Sequence, residues 1–375
     1  MVARAWNQKV LVRNIIKSRL HFLTEDQTDW IKGVLILLVI ADHSDQFRLL
    51  NPDLFRPLTF HVIGFFLLNF YGAGLSEKSM REFFIERAVR YLWPFLIFYS
   101  LYAAGTYAVT KGKYGNIESY FLGAVFGSFD LVKQGCGGAF MWFLPALLGF
   151  SLTTKFLAGM KLERFFVFFA LGLAFHVVIG NVNSIFKTYM PLGLGVAVYL
   201  IPITSVFFML QMSGFWRFLL ESVSGICCAL LLAIISHAVL MGNKIQIEVG
   251  ALTTPPVHQV AFILLNFLGN LAALSVIWSV AHRLQSKGGI LQSIGKHSLV
   301  IYLVHPFGLM VFGGLVSRLG FNGQLTFQLL LASLIFLLSL LISWCAALLL
   351  EKSPFLYATI FPKNLQHIFL VWKLG

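Results

Sequence analysis

Long apolar segments separated by short polar stretches run through the whole chain. Segments of this kind approach the ~20 residues that a helix needs to cross a bilayer, so they predict transmembrane helices. A further apolar piece, residues 120–129, is too short to cross and predicts a re-entrant or interfacial segment closed by the glycine-rich turn 135–138. The pattern predicts an all-α polytopic membrane protein with ten spans, near residues 31–50, 57–76, 91–110, 139–158, 164–181, 189–211, 218–240, 257–281, 298–317 and 324–350.

Composition and charge support this class and give the chain an orientation. Of the 375 residues, 58% are hydrophobic and only 11% are charged, which excludes an ordinary soluble domain. The net charge of +13 comes from Lys and Arg spread over short loops, so nucleic acid is not an expected partner. Twenty of the 28 Lys and Arg residues fall on the side of the N-terminus and eight on the other. The positive-inside rule therefore predicts both termini in the cytoplasm, with membrane lipid around the spans.

Three regions are expected along the chain. Residues 1–28 alternate basic and apolar side chains, a pattern of either an interfacial helix on the cytoplasmic leaflet or a flexible cationic tail. Residues 29–351 form the transmembrane domain, and residues 352–375 form a short basic tail. No metal site is expected, because the cysteines lack metal-ligand spacing: Cys136, Cys227, Cys228 and Cys345.

The first predicted span carries polar residues within an apolar helix pattern. Lys32 and His43 are eleven residues apart, which returns to within ~20° of the same helix face and rises about 16 Å. Ionisable groups at membrane depth are costly and usually face a bundle interior or a water-filled cavity. We therefore interpret His43 as a functional residue rather than one that is merely packed. The alternative is that Asp42 and His43 only cap the helix at the outer interface, since the apolar run 34–41 is short.

Basic residues also gather at the predicted inner ends of the first and third spans. Arg87 and Arg90 are three residues apart, so both guanidinium groups can face one ligand. Asp29 and Lys32 lie at the same end, and the two arginines with this lysine suit a phosphate-bearing molecule that arrives from the cytoplasm. Ordinary positive-inside anchoring explains the same charges equally well.

Further candidate site residues lie on other predicted spans. With His43, Trp142 and His305 sit at intermediate depth and could surround one buried site. Trp142 alone suits simple packing, and His305 alone could satisfy carbonyl groups freed by Pro306. His61 is either an interfacial residue or a wall of the site.

Four stretches in order resemble the acyltransferase-3 family of ten-helix bacterial membrane acyltransferases, and the resemblance runs from Asp29 to about Glu351. They are D-W-I-K-G-V-L-I-L-L-V-I-A-D-H, F-I-E-R-A-V-R-Y-L-W-P, M-W-F-L-P and G-K-H-S-L-V-I-Y-L-V-H. The family has a basic residue separated by ten residues from a helix-one histidine, and an Arg-x-x-Arg pair. Lys32 with His43, and Arg87 with Arg90, match these patterns. One departure is F-L-L-N-F-Y-G-A-G-L after helix two, where members often carry a serine-glycine pair.

The resemblance implies an O-acyltransferase of the bacterial inner membrane that moves an acyl group, most often acetyl, from cytoplasmic acyl-CoA to a hydroxyl of a cell-envelope polysaccharide. It implies acyl-CoA as co-substrate, a glycan or lipid-linked sugar as acceptor, and polysaccharide-assembly proteins as partners. In this interpretation His43 is catalytic, and Lys32, Arg87 and Arg90 bind the acyl-CoA. The remaining candidates, Trp142, His305, His61 and Asp29, contact substrate.

Two chemistries and one rival function stay open at this point. His43 could act as a general base toward the acceptor hydroxyl, since imidazole titrates near neutral pH, or it could carry the acyl group itself. Asp42 is a poor partner to orient the ring because it lies ~100° away on the helix, so an acidic partner from another helix is expected. A polytopic transporter or flippase for a lipid-linked saccharide would share the basic, ten-helix character, but it predicts no acyl-CoA binding.

Overall fold

The part of the chain that the computed structural model describes is almost entirely helical and contains no strand, which confirms the all-α prediction for those residues. The described residues are 23–44, 58–74, 77–110, 116–157, 166–167, 169–172, 174, 194–243, 256–284, 289–318 and 325–362. The predicted amphipathic segment 1–28, the tail 352–375 and the predicted span 164–181 lie largely outside them.

Fourteen α-helices and one 3₁₀ helix have described bounds. The first half of the chain contains α1 (Glu25–His43), α2 (Phe60–Gly74), α3 (Met80–Thr110), α4 (Ile117–Phe126), α5 (Phe129–Cys136), the 3₁₀ helix (Ala139–Trp142) and α6 (Phe143–Leu157). The second half contains α7 (Leu194–Met212), α8 (Phe215–Glu221), α9 (Val223–Gly242), α10 (Pro256–Arg283), α11 (Ile290–Lys296), α12 (Ser298–Arg318), α13 (Leu325–Lys352) and α14 (Pro354–Ile360).

Four described helical stretches are long and apolar enough to cross a membrane: Val223–Gly242, Val260–Arg283, Ser298–Leu315 and Thr326–Lys352. A fifth exists if Leu200–Met212 and Phe215–Glu221, bent by 79° at their junction, form one broken span. The predicted number of ten spans is not confirmed. Helix α2 is short, while α1 and α3 carry several charged residues in their first turns, which lowers their hydropathy. The cytoplasmic location of the termini stays a prediction.

Helix α1 is the element around which the site is built. A capping box starts it, in which Thr24 Oγ1 accepts from the Gln27 amide and Gln27 Oε1 accepts from the Thr24 amide, at 3.2 and 3.0 Å. The helix ends at His43, where the Ser44 amide bonds the Ala41 carbonyl. It packs against α2, α10, α11, α12 and α13. Histidine 43 therefore lies at a helix end surrounded by several other helices.

Glycines bring α1 and α11 into backbone contact. A Cβ atom on Gly33 would overlap the Leu291 carbonyl, and one on Gly295 would overlap the carbonyl of Asp29. Both glycines are buried, and a side chain at either position would force the two helices apart. Helix α11 leads into α12 with only His297 between them, so this contact also positions α12.

The predicted interfacial segment consists of two short helices, α4 and α5, and α4 is among the apolar helices that are too short to span. Two glycines in the left-handed region, Gly127 (φ 62°) and Gly137 (φ 72°), end α4 and α5. The turn at 135–138 therefore closes the segment as predicted. The Tyr99 hydroxyl of α3 lies against Gly123 and Gly135, whose missing side chains leave room for it.

Candidate active site

Two imidazoles meet where the end of α1 reaches the middle of α12. Nδ1 of His43 lies 3.1 Å from Nε2 of His305, a hydrogen-bond distance. The two rings are nearly parallel, with an interplanar angle of 12° and centroids 5.3 Å apart. His305 is fully buried, whereas His43 is partly exposed. The structure therefore brings together two of the residues that the sequence singled out.

The surroundings of His305 determine which nitrogens carry protons. Its Nδ1 lies 3.2 Å from the carbonyl oxygen of Ile301, which can only accept a hydrogen bond. In the neutral ring Nδ1 of His305 is thus protonated, and its Nε2 accepts a hydrogen bond from Nδ1 of His43. The neutral ring of His43 then has its lone pair on Nε2. The pair therefore presents one basic nitrogen, Nε2 of His43.

Several hydrogen bonds hold the part of α12 around His305 in place. The Ser339 hydroxyl of α13 donates to the His305 carbonyl at 2.8 Å, and the Tyr102 hydroxyl of α3 donates to the Leu303 carbonyl at 3.1 Å. The Tyr302 hydroxyl donates to the carbonyl of Phe140. Bonds from three directions limit the movement of this turn, so the imidazole of His305 is a fixed partner for His43.

Trp142 packs against two phenylalanines. It lies in the 3₁₀ helix that leads directly into α6, and its ring contacts Phe129 and Phe143 with centroids 6.3 and 6.1 Å apart. From the same 3₁₀ helix, the ring of Phe140 lies 6.3 Å from that of His305, and the ring of Tyr302 lies 5.9 Å from it. No sequence signal marks Phe140, because one phenylalanine among 38 does not stand out.

Asp42 and His61 form a second pair beside the first. Asp42 Oδ2 lies 3.6 Å from Nε2 of His61, which is only 1% exposed. Asp42 turns toward α2 while His43 turns toward α12, as the ~100° step along a helix requires. The sequence predicted an acidic orienting partner for His43 from another helix. The group that meets its Nδ1 is the imidazole of His305 instead.

Arg87 is a buried cation in a neutral polar network. Arg87 is only 8% exposed. Its Nη1 donates to the Tyr91 hydroxyl at 3.1 Å and to Asn69 Oδ1 at 3.4 Å. Among the described residues no carboxylate lies within ion-pair distance of Arg87, and its buried Nε has no hydrogen-bond partner. Such a guanidinium favours an anionic ligand. Arg90 is exposed, 5.9 Å from the ring of Tyr91.

Lys32 and Asp29, which the sequence placed at the inner end of the first span, bind each other. Lys32 Nζ lies 2.9 Å from Asp29 Oδ1, with side chains 32% and 17% exposed. The carboxylate therefore offsets the charge of Lys32. Lys32 thus has a carboxylate partner, whereas Arg87 bonds neutral groups. A joint site of Lys32 with Arg87 and Arg90 stays a prediction.

Helix α2 links the arginine network to the histidines. Asn69 near one end of α2 bonds Arg87, and His61 at the other end meets Asp42, which is next to His43. The eight-residue step from His61 to Asn69 rises about 12 Å along the helix. A thin extended molecule can cover this separation. In the part of the chain that is described, no group of three or more His, Cys, Asp or Glu side chains could hold a metal ion.

The sequence profile of a family described as an acyltransferase domain, acyltransferase-3, matches residues 26–348. The chain belongs to the acyltransferase-3 family. The match covers nearly the whole chain and includes every candidate residue discussed above, from Asp29 to His305. This acyltransferase-3 protein is accordingly a membrane acyltransferase of the general kind, with apolar helices suited to a bilayer. No curated protein and no solved structure gives a significant match.

Proposed function

We propose that the protein transfers an acyl group, in the simplest case acetyl, from cytoplasmic acyl-CoA to a hydroxyl of a cell-envelope glycan, within the bacterial inner membrane. The observation that carries the proposal is the hydrogen bond between His43 and His305, because it leaves the lone pair of His43 on Nε2. A membrane acyltransferase needs such a base to activate a hydroxyl at neutral pH.

The chemical step follows from this arrangement. The acceptor oxygen attacks the thioester carbonyl carbon while Nε2 of His43 takes the hydroxyl proton. The tetrahedral intermediate collapses, the carbon–sulfur bond breaks, and the imidazolium of His43 returns the proton to the departing thiolate. The products are one ester and one free thiol, and the histidine is restored. His305 keeps Nδ1 of His43 hydrogen-bonded throughout, so it acts as a positioning residue.

Donor binding is assigned to the arginine network. The buried guanidinium of Arg87 has no carboxylate partner among the described residues, and its charge suits the phosphate groups of CoA. Arg90 is exposed beside it and adds charge at the entrance. Lys32 contributes less to donor binding than Arg87, since Asp29 offsets its charge. The acyl arm would then extend along α2 toward His43, over the ~12 Å between Asn69 and His61.

The test compares wild type with His43→Ala and with His237→Ala, a control histidine on α9. Envelope glycans from cells lacking the gene, complemented with each version, are analysed by mass spectrometry for ester-linked acyl groups. We expect wild type and His237→Ala to restore the acyl mass and His43→Ala to lose it. Purified protein should release CoA thiol in the same order. Full acyl transfer by well-folded His43→Ala would exclude the mechanism.

Two further measurements on the purified protein separate the remaining alternatives. An acylated peptide that contains His43, trapped after brief exposure to acyl-CoA without acceptor, would indicate that the acyl group rests on the imidazole before transfer. Its absence during active turnover would indicate direct transfer. A transporter of a lipid-linked saccharide would release no thiol from acyl-CoA in either protein.

A further inference from the structure

A second cation lies beside the arginine network, on α6. Nζ of Lys155 stands 5.6 Å from the ring centre of Phe83, and the guanidinium carbon of Arg87 stands 5.1 Å from the same centre. The negative face of an aromatic ring attracts positive charges of both kinds. Phe83 itself is only 1% exposed. Two cations from different helices therefore share one buried ring.

Hydrogen bonds connect α6 to the same arginine by a second route. Asn69 of α2 accepts a hydrogen bond from Arg87 and donates one to the Ser151 hydroxyl of α6. Ser151 is one turn before Lys155, within ~40° of the same helix face. On α3, Phe83 is likewise one turn before Arg87. The face of α6 that contains Ser151 and Lys155 is therefore turned toward Arg87 by two independent contacts.

Lys155 lies nearer the predicted cytoplasmic surface than Arg87. It is in the last turn of α6, and the Phe83 ring that it contacts is in the first turn of α3, one turn before Arg87. A molecule that entered at these helix ends would meet Lys155 first and the buried guanidinium next. The helix dipole alone favours a lysine in the last turn of a helix. That preference gives no reason for its ammonium group to lie over a buried ring beside a second cation.

The charges around this ring suit a phosphate-bearing ligand. The printed hydrogen bonds of Arg87 go to two neutral side chains, and its buried Nε has no partner among the described residues. Of the carboxylates on the same turns of α3, Glu82 accepts from the Ser79 hydroxyl. Glu86 accepts from Lys78, so both are bonded toward the start of the helix. Neighbouring cations repel each other, and an anion that binds both relieves the repulsion.

We propose that Lys155 is a donor-binding residue, which together with Arg87 binds the phosphate groups in the nucleotide part of acyl-CoA. Both charges can reach one bound ligand, because they stand 5.6 and 5.1 Å from a single ring centre. The guanidinium supplies a planar pair of N–H donors for phosphate oxygens, and the ammonium adds a point charge. The inference rests on the proposed function, in which acyl-CoA is the donor. It adds a cation that the spacing of the α3 arginines does not indicate.

The test measures phosphate binding separately from transfer. The full chain in dodecyl maltoside is titrated calorimetrically with CoA and with inorganic pyrophosphate. Phosphatidylglycerol in mixed micelles is the lipid probe, and its effect is measured as a shift of the thermal unfolding midpoint. The variants are Lys155→Met, which removes the charge at nearly constant length, and Lys155→Arg, which keeps it. Lys352→Met is the matched control, because that lysine of α13 is exposed at the same predicted membrane face.

We expect Lys155→Met to bind CoA about tenfold more weakly than wild type, as the loss of one charge-assisted contact predicts, and Lys155→Arg and Lys352→Met to bind it as wild type does. The kcat at saturating acetyl-CoA should not change in Lys155→Met, because the residue contacts phosphate and not the reacting atoms.

Each contrary result has a different meaning. Wild-type affinity for CoA in Lys155→Met would overturn the inference and leave the proposed function intact. If Lys155→Met loses only the effect of phosphatidylglycerol, the inference is likewise overturned and the cation belongs to a lipid site. A wild type that binds pyrophosphate through Lys155 but does not bind CoA would overturn the donor of the proposed function and keep the phosphate site. Binding of neither would overturn both.

Discussion

The hydrogen bond between two imidazoles gives His305 a role that neither sequence nor charge suggests. Its backbone-bonded Nδ1 defines which nitrogen of His43 is basic. A histidine whose tautomer is wrong presents a proton where a lone pair is needed, and general-base catalysis then fails even though the ring is in place.

Replacing His305 should therefore lower turnover while donor binding stays intact. We expect His305→Leu to reduce kcat about 100-fold, within the usual range for general acid–base catalysis, with little change in the KM for acetyl-CoA. His305→Gln should recover part of the loss, because its amide oxygen can accept from Nδ1 of His43. The measurement is the release of CoA thiol by purified protein. Ser343→Ala is the control, since that buried hydroxyl of α13 bonds the Ser339 carbonyl of its own helix. Equal kcat in His305→Leu and wild type would contradict the positioning role.

Substitution of Arg87 and of Arg90 should change the KM for acetyl-CoA to different extents, because Arg87 is buried and Arg90 is exposed. Arg87→Met should raise the KM for acetyl-CoA by about 10- to 100-fold, the loss of a charge-assisted contact in a buried site. Arg90→Met, at an exposed position, should change it less than about fivefold.

Initial-rate kinetics measure both effects, with Tyr91→Phe as a control for the neutral network and Arg217→Met as a control for exposed charge. Equal increases in the KM for acetyl-CoA in Arg87→Met and Arg90→Met would contradict this prediction.

Individual site residues were predictable from sequence where a polar side chain interrupts an apolar helix pattern. His43, His305 and Arg87 stood out for that reason. Phe140 and Asn69 did not, because a phenylalanine or an asparagine acquires a role only from the neighbour that tertiary packing supplies. The pairing of Lys32 with Asp29 was available from their three-residue spacing, yet both had been assigned to substrates.

At the scale of helices, backbone contact between α1 and α11 depends on two glycines. Gly295→Ala should lower stability by about 1–3 kcal/mol, because the new methyl group overlaps the Asp29 carbonyl and one helix must move. Gly314→Ala on α12, where no atom lies within 4 Å of a new Cβ, should be neutral or stabilising by about 0.5–1 kcal/mol.

The thermal unfolding midpoint of each variant in detergent measures this difference. Activity of Gly295→Ala should fall as well, since α11 positions α12 and with it His305. A Gly295→Ala protein as stable as Gly314→Ala would show that the two helices are not in backbone contact.

Helix type was easier to predict than helix bounds. The third helix was expected to begin at 91 but begins at Met80, because its charged first turns have helix-forming residues without membrane hydropathy. The first begins at Glu25, where Thr24 and Gln27 form a capping box that the sequence contains but that an apolar-segment search ignores. Hydropathy locates the bilayer, whereas capping and propensity determine where a helix starts and stops.

At the scale of the molecule, orientation in the membrane stays a prediction that labelling can test. In a protein with Cys227, Cys228 and Cys345 replaced by alanine, a membrane-impermeant maleimide should label Lys296→Cys only from the cytoplasmic side and Lys133→Cys only from the opposite side. Both lysines are exposed.

Cys136 can stay in this background, since burial raises the pKa of its thiol to about 11 and leaves little thiolate to react. Labelling is measured in right-side-out and inverted vesicles. The reverse pattern at both positions would place the N-terminus outside, and labelling of both from one side would exclude the predicted span arrangement.

The number of spans could not be derived from apolar length alone. Tight interhelical packing lets short or charged helices such as α1 and α2 be buried by their neighbours rather than by lipid, so length and hydropathy do not separate a span from an internal helix. The family, by contrast, was recognisable from four stretches in order, and the match over residues 26–348 confirms it.

The interlocked backbones of α1 and α11 have a kinetic consequence. They fix the separation of the two imidazoles through the backbone, so neither substrate has to assemble the pair when it arrives. Donor and acceptor would then associate in either order, and the affinity for one would be the same whether or not the other is already bound.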